Sequence, residues 1–294
     1  NDSMDTIKKL SDYSLLNGSN IRFMGVPKTI DNDLAVTDHT PGYGSAAKYI
    51  ASTMKEIIRD ALVQPIKIVN IIEIMGRNAG WLTAAAALAK GDDCEGADLI
   101  YLPETVFDIN KFVAKVQEIQ KTKKQIVVAV SEGVKTADGK YVCESASSNM
   151  LVDSFGHKQL SGTATALANV ISNEIGCKTR AIEFSTIQRC ASHIASLTDV
   201  NEAFIVGGIA VKAAFDGETG KVGIFQRLSN KPYLMGTSIY DVNAIANVEK
   251  TVPQEWIIND GTGVSQEALD YMRPLIQGEI YPYMVDGLPR HIKL

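Results

Sequence analysis

The chain is short of the features that mark secreted, metal-stapled or membrane-embedded proteins. Its four cysteines, Cys94, Cys143, Cys177 and Cys190, lie far apart and form no C-x-x-C pair, which argues against a zinc centre or a disulfide framework. Cys190 follows Arg189, and a buried or inert thiol is the expectation there rather than a reactive one. The four histidines, His39, His157, His193 and His291, share no metal-ligand spacing. No apolar run approaches the roughly eighteen residues of a membrane span, and no signal-peptide pattern precedes the first strand. Net positive charge is also missing: the formal charge is −5 over 294 residues. That disfavours broad attraction to nucleic acid or membrane, and it requires any phosphate pocket to be built from local cations. There is no internal repeat and no low-complexity stretch. These absences lead to the expectation of a soluble, cytoplasmic protein, and 45% apolar residues can bury a large core in two domains.

What is present is an alternation of strand and helix patterns, which predicts parallel sheets with helices on their faces. Ile21, Phe23, Met24 and Val26 read as a short buried strand stopped by Gly25 and Pro27. A helix is expected over 44–63 with Ser45 as its cap, followed by strands at 68–74, 99–102 and 125–130. Phe112, Val113, Val116 and Ile119 mark a helix between the last two. Lys121, Lys123 and Lys124 read as that helix's end, complementing its dipole. Further on, helices are expected at 163–175 and 200–215 and strands at 179–184 and 222–225, while residues 135–140 form a polar connection.

Two constellations carry chemistry. Pro27-Lys28-Thr29-Ile30-Asp31-Asn32-Asp33 places two carboxylates, a lysine and a threonine just after a strand, at the edge where open α/β sheets bind ligands. One aspartate there can take a hydroxyl proton as the oxygen attacks phosphorus, the second can help hold Mg²⁺, and Lys28 can neutralise the transferring group. A plain Asp-Asn-Asp turn is the competing reading. The second constellation, Met75-Gly76-Arg77, again ends a buried strand and offers a guanidinium fork for a phosphate or sugar hydroxyls; a surface arginine is the alternative.

With Pro103-Glu104, Ser131-Glu132-Gly133, Lys178-Thr179-Arg180 and Gln188-Arg189, these motifs follow the order and approximate spacing of the 6-phosphofructokinases. The sequence resembles that family over nearly its whole length, and most resembles its pyrophosphate-dependent branch. The resemblance implies an α/β, phosphofructokinase-like fold of two Rossmann-like three-layer α/β/α domains with mostly parallel sheets. It divides the chain into a phosphoryl-donor domain (1–42 and 188–262) and a fructose 6-phosphate domain (43–187 with 263–294). The implied reaction is reversible, Mg²⁺-dependent transfer from pyrophosphate to the C1 hydroxyl of fructose 6-phosphate.

The same resemblance assigns roles. Asp31 is the implied base, Thr29 and Ile30 line the sugar, Met75, Gly76 and Arg77 bind sugar and transferring phosphate, and Glu132 accepts hydrogen bonds from sugar hydroxyls. Arg180 and Arg189 clamp the 6-phosphate, one of them from a neighbouring subunit of a homodimer or homotetramer. Thr186 stands where the family often has a histidine. Glu104 matches a position nearer the family's effector site and is left out of the active site. Asp2 replaces a glycine of the ATP-using branch and is expected to exclude the α-phosphate of ATP, while Lys28 replaces another glycine and is expected to stabilise the leaving phosphate. Asp33 and Asn1 fall at metal-linked positions, although Asn1 replaces the usual aspartate with a weaker ligand. Asn1-Asp2-Ser3 looks like the middle of a loop, and the family's glycine-rich opening unit is not represented, so the chain is expected to be a fragment with weak or no activity alone. Two alternatives remain open at this level: an ATP-dependent 6-phosphofructokinase, and a non-catalytic sugar-phosphate-binding subunit.

Overall fold

The computed structural model describes residues 2–145 and 160–293. Along the chain run α1 (Asp2–Leu16), β1 (Met24–Gly25), α2 (Tyr43–Leu62), β2 (Ile68–Ile74), α3 (Trp81–Ala84), β3 (Leu99–Tyr101), α4 (Ile109–Ile119), β4 (Gln125–Ser131), α5 (Thr163–Ile175), β5 (Lys178–Glu183), α6 (Leu197–Phe215), β6 (Lys221–Asn230), β7 (Tyr233–Asp241) and α7 (Gln266–Met272). The chain divides into one unit of Asn1–Lys48, Ala191–Lys250 and Asp270–Leu294 and another of Tyr49–Cys190 and Thr251–Leu269. Among the described residues no helix is long and apolar enough to cross a membrane.

The second unit is built on a parallel sheet of order β3-β4-β2-β5. All of Ile68–Ile74 is buried, which is why this strand reads as a continuous apolar run rather than an alternation. Val69, Ile71, Val128 and Val130 pack with Phe112 and Val116 of α4 and with Leu167 and Ile171 of α5 into one core. Asp108 caps α4 by accepting a hydrogen bond from Lys111 N at 3.0 Å, and left-handed Gly176 ends α5. The parallel arrangement aligns the carboxyl ends of β2, β4 and β5, which carry Met75, Glu132 and Glu183.

In the first unit, β6 pairs in parallel with β1 and antiparallel with β7. Its core joins Met4 and Ile7 of α1 to Leu34, Val222, Ile224, Val242 and Ile245. Gly25 has no room for a side chain, since an added Cβ would lie 2.8 Å from Val222 Cγ2.

Several sequence expectations are corrected here. The anticipated strand from Ile21 shrinks to two residues, and Ile21 and Val26 are exposed, because only Gly25 is pressed against Val222 and α1. Asp2 and Ser3 do not lie in a loop but open α1, whose first turn carries Asp2 and Asp5 at the positive end of the helix dipole. Ser45 is not a cap: α2 starts at Tyr43, and the Ser45 hydroxyl donates to Asp199. Strand β6 runs on past Phe225 into a hairpin with β7, where a polar outer half hid the strand signal. Lys121 and Lys123 follow the end of α4 and form ion pairs with Glu118, and with Glu95 and Asp98. Cys190 is exposed, and its thiol is free like the other three.

Candidate active site

The aspartate loop of the first unit is fixed from both sides. Thr29 Oγ1 accepts from Asp31 N at 3.1 Å and donates to Asp31 Oδ2 at 3.3 Å, while the Thr29 carbonyl accepts from Thr40 Oγ1 at 2.7 Å. Asn32 is buried in the left-handed region at φ 54°, a conformation its short polar side chain tolerates. Its amide donates to Tyr271 Oη at 2.9 Å and accepts from Lys250 Nζ at 3.2 Å. Lys250 also donates to the carbonyls of Thr37 and Asp38, and its backbone N donates to the Asp33 carbonyl at 2.8 Å. Burial lowers the Lys250 ammonium to a pKa of about 8. Lys28 is exposed, and Thr29, Ile30, Asp31 and Asp33 are half-buried. Burial, and then the neighbouring Asp31 carboxylate, raise the pKa of Asp33. One Asp33 oxygen, Oδ1, is buried with no hydrogen-bond partner among the described residues.

Behind the loop lies a charged network in the same unit. His39 is buried between Asp38 at 2.8 Å and Glu202 at 2.7 Å, and its ring stacks on Phe225 with centroids 4.5 Å apart. Burial alone would lower the His39 pKa, but the two carboxylates overcome it and raise the value. Arg227 forks onto Asp38 and lies over the rings of Tyr233 and Tyr271, and the Tyr233 hydroxyl donates to Glu202 at 2.7 Å.

The second unit holds a cavity of about 240 Å³ at the carboxyl edge of its sheet. Met75, Arg77, Glu132, Thr186 and Arg189 line it, together with Gln188, which the motifs include without a role, and with Glu73 and Glu183, which they do not include. Its walls are locked by backbone geometry. Gly76 sits at φ 136°, its N donates to Glu132 Oε1 at 3.3 Å, and its carbonyl accepts from Ser131 Oγ. Ser131 Oγ also accepts from Gly133 N at 3.1 Å. The Gly133 backbone crosses so close to Arg77 that an added Cβ would lie 1.9 Å from the Arg77 carbonyl oxygen. Gln188 is buried and accepts from Met75 N at 3.3 Å. Glu73 accepts from Ala164 N at 2.8 Å, at the start of α5, and is in register with Glu183 on the neighbouring strand β5. Burial raises its pKa to about 7.

Not every anticipated residue joins these groups. Arg180 lies on β5 outside the cavity and pairs with Asp60 at 2.8 Å. Asp2 is exposed at the start of α1, and Asn1 lies outside the described residues. Glu104, set aside from the active site, accepts from Gly80 N at 2.8 Å and Val252 N at 2.9 Å, and so anchors the loop after Arg77. Glu73 was hidden within an apolar strand. Arg227, Lys250 and Tyr271 lie too far along the chain from the aspartate motif for spacing to link them.

The Phosphofructokinase family pattern matches residues 1–190. A "Pyrophosphate--fructose 6-phosphate 1-phosphotransferase" of Halomonas elongata is 39% identical over all of this chain and 70% of its own length. A protein of the same description from Xanthomonas campestris pv. campestris is 41% identical over 100% of this chain and 70% of that one. The crystal structure of a pyrophosphate-dependent phosphofructokinase from Nitrosospira multiformis superposes with a TM-score of 0.88 at 38% identity, covering 99% of this chain and 69% of that one. A family pattern over nearly two thirds of the chain, full-length relatives near 40% identity and a shared fold lead to one conclusion: the chain belongs to the phosphofructokinase family.

Proposed function

We propose that this protein transfers a phosphoryl group reversibly from pyrophosphate to the C1 hydroxyl of fructose 6-phosphate, giving fructose 1,6-bisphosphate. The observation that carries this reading is the gathering of Met75, Arg77, Glu132, Thr186 and Arg189 around one cavity, in a chain whose full-length relatives are named for that reaction. Arg77 and Arg189 supply the cations a sugar phosphate needs, Glu132 accepts from sugar hydroxyls, and Gln188 keeps Met75 in register.

Asp31 acts as base. It takes the proton of the C1 hydroxyl as that oxygen bonds to phosphorus and the bond to the departing phosphate breaks. Thr29 and Asn32 hold the loop so that little reorganisation accompanies the step. Lys28 neutralises the departing phosphate, and Asp2 disfavours the longer donor ATP. The residues fit Mg²⁺: the unpartnered, buried Asp33 oxygen and the adjacent Asp31 are hard donors, and Mg²⁺ commonly takes only one or two carboxylates besides phosphates and water. When bound, the ion would neutralise charge on the transferring group. Arg180, outside the cavity, is the candidate for service in a neighbouring copy's site within a homo-oligomer. A cytoplasmic place in glycolysis and gluconeogenesis belongs to the same proposal.

The test is formation of fructose 1,6-bisphosphate by the full-length protein with Mg²⁺ and either pyrophosphate or ATP. Product from pyrophosphate alone is expected. Preference for ATP would overturn the donor assignment, and absence of product with both donors would favour a non-catalytic binding role.

A further inference from the structure

The second unit contains a larger cavity, of about 530 Å³, that shares no lining residue with the first among the described residues. Tyr101, at the carboxyl end of β3, lines it. Its ring packs edge-on against Phe107 and Phe112, with centroids 4.8 and 5.7 Å away. The residue is 8% exposed, yet its hydroxyl has no hydrogen-bond partner among the described residues. A buried hydroxyl without a partner is destabilising and calls for one. Burial raises the phenol's pKa further above neutrality, so the group remains an intact O–H donor.

One wall is α4, where Lys111 and Lys115 stand one turn apart. Among the described residues, Lys115 reaches only the Asn259 carbonyl at 3.3 Å and Asp260 at 4.0 Å, and Lys111 forms no ion pair. Asp108 and Asp260 also line the space, so the lysines are balanced. Asp108 has one oxygen engaged by Lys111 N, and the Asp260 side chain is 97% exposed. A bare polyanion would meet carboxylates as well as ammoniums. A ligand with one anionic group and several hydroxyls would satisfy both sets, since carboxylates accept from hydroxyls.

We propose that this cavity is a second ligand site for a phosphorylated sugar or polyol, with the phosphate on Lys111 and Lys115, hydroxyls on Asp108 and Asp260, and a further polar atom on the Tyr101 hydroxyl. Its volume lies in the range of small-molecule sites, about 300 to 1,000 Å³. Nothing in this inference depends on the donor or the reaction at the first cavity.

The test is calorimetric titration of ribose 5-phosphate, with inorganic phosphate and ribitol as partial probes, into the full-length protein. The variants are Lys111→Gln/Lys115→Gln, Tyr101→Phe and, as a control on the first cavity, Arg189→Gln. Binding that survives Arg189→Gln is expected. It should weaken roughly tenfold or more in the double lysine variant, where two charge-assisted bonds are lost, and severalfold in Tyr101→Phe. Both partial probes should bind more weakly than ribose 5-phosphate. Tyr101→Phe removes an unpartnered buried hydroxyl and should fold normally, which keeps its binding result interpretable. The proposal is overturned if ribose 5-phosphate does not bind, if binding is lost in Arg189→Gln but unchanged in the lysine variant, or if inorganic phosphate binds as tightly.

Discussion

The two units hold their functional groups by different physical means. The cavity of the second unit is shaped by backbone: a parallel sheet aligns three strand ends, and Gly76 and Gly133 allow the Arg77 and Glu132 loops to cross in contact. The aspartate loop of the first unit is held instead by buried charge, through Lys250 and the Asp38–His39–Glu202–Arg227 network. The lesson is that a pocket walled by backbone should be sensitive to volume, whereas the loop of the proposed base Asp31 should be sensitive to the ionisation and pairing of groups behind it.

The largest effect that separates the two is expected from Arg227→Met. Removing the guanidinium leaves Asp38 and the two tyrosine rings without their cation, and breaking such a buried pair costs about 3 to 5 kcal/mol. Chemical denaturation should register that loss, with the aspartate loop affected first in hydrogen exchange. Next is Gly133→Ala, where the added Cβ meets a carbonyl at 1.9 Å. Overpacking of this kind should cost roughly 3 kcal/mol or more. Its signature would be a weakened affinity for fructose 6-phosphate, measured calorimetrically, with the exchange behaviour of the aspartate loop unchanged.

Glu73 sharpens the comparison because it puts a titratable group into the otherwise volume-controlled cavity. Its folded pKa, about 7, lies above the ordinary glutamate value of 4.5, so the native state binds the extra proton between those values. Stability should therefore fall as pH rises through that window, by up to about 3 kcal/mol, and level off above it. Glu73→Gln should flatten the trend in a pH series of melting curves. Affinity for fructose 6-phosphate should likewise decline across the upper part of this window in the wild type and less so in the variant, since ionised Glu73 opposes an anionic ligand. The smallest effect is expected for Ser131→Ala, which removes the hydroxyl joining Gly76 and Gly133 and should cost about 1 kcal/mol.

Much of this was legible in the sequence where chemistry and chain order coincide. The apolar run 68–74 ending in Met75-Gly76-Arg77, and 125–131 running into Glu132, place residues at strand ends by a rule the fold obeys. Other features depend on contacts that no local pattern records. Arg227, Lys250 and Tyr271 meet Asp38 and Asn32 only after about two hundred residues of intervening chain have folded. Glu73 was masked by the isoleucines around it, and Arg180 sits along β5 beside Asp60 rather than at the cavity. The helix α1 was misread because Asn1-Asp2-Ser3 matched a loop motif, while Met4, Ser11 and Ser14 on its buried face were a weaker signal.

The most direct test of this division of labour is a paired measurement on Asp31→Ser in the full-length protein: turnover with pyrophosphate, and calorimetric affinity for fructose 6-phosphate. A loss of turnover of roughly 100-fold or more with affinity retained is the expected result, because Asp31, the proposed base, lies in one unit and Arg77 and Arg189, the arginines proposed to bind phosphate, lie in the other. Near-normal turnover, or loss of sugar-phosphate binding in step with activity, would contradict it.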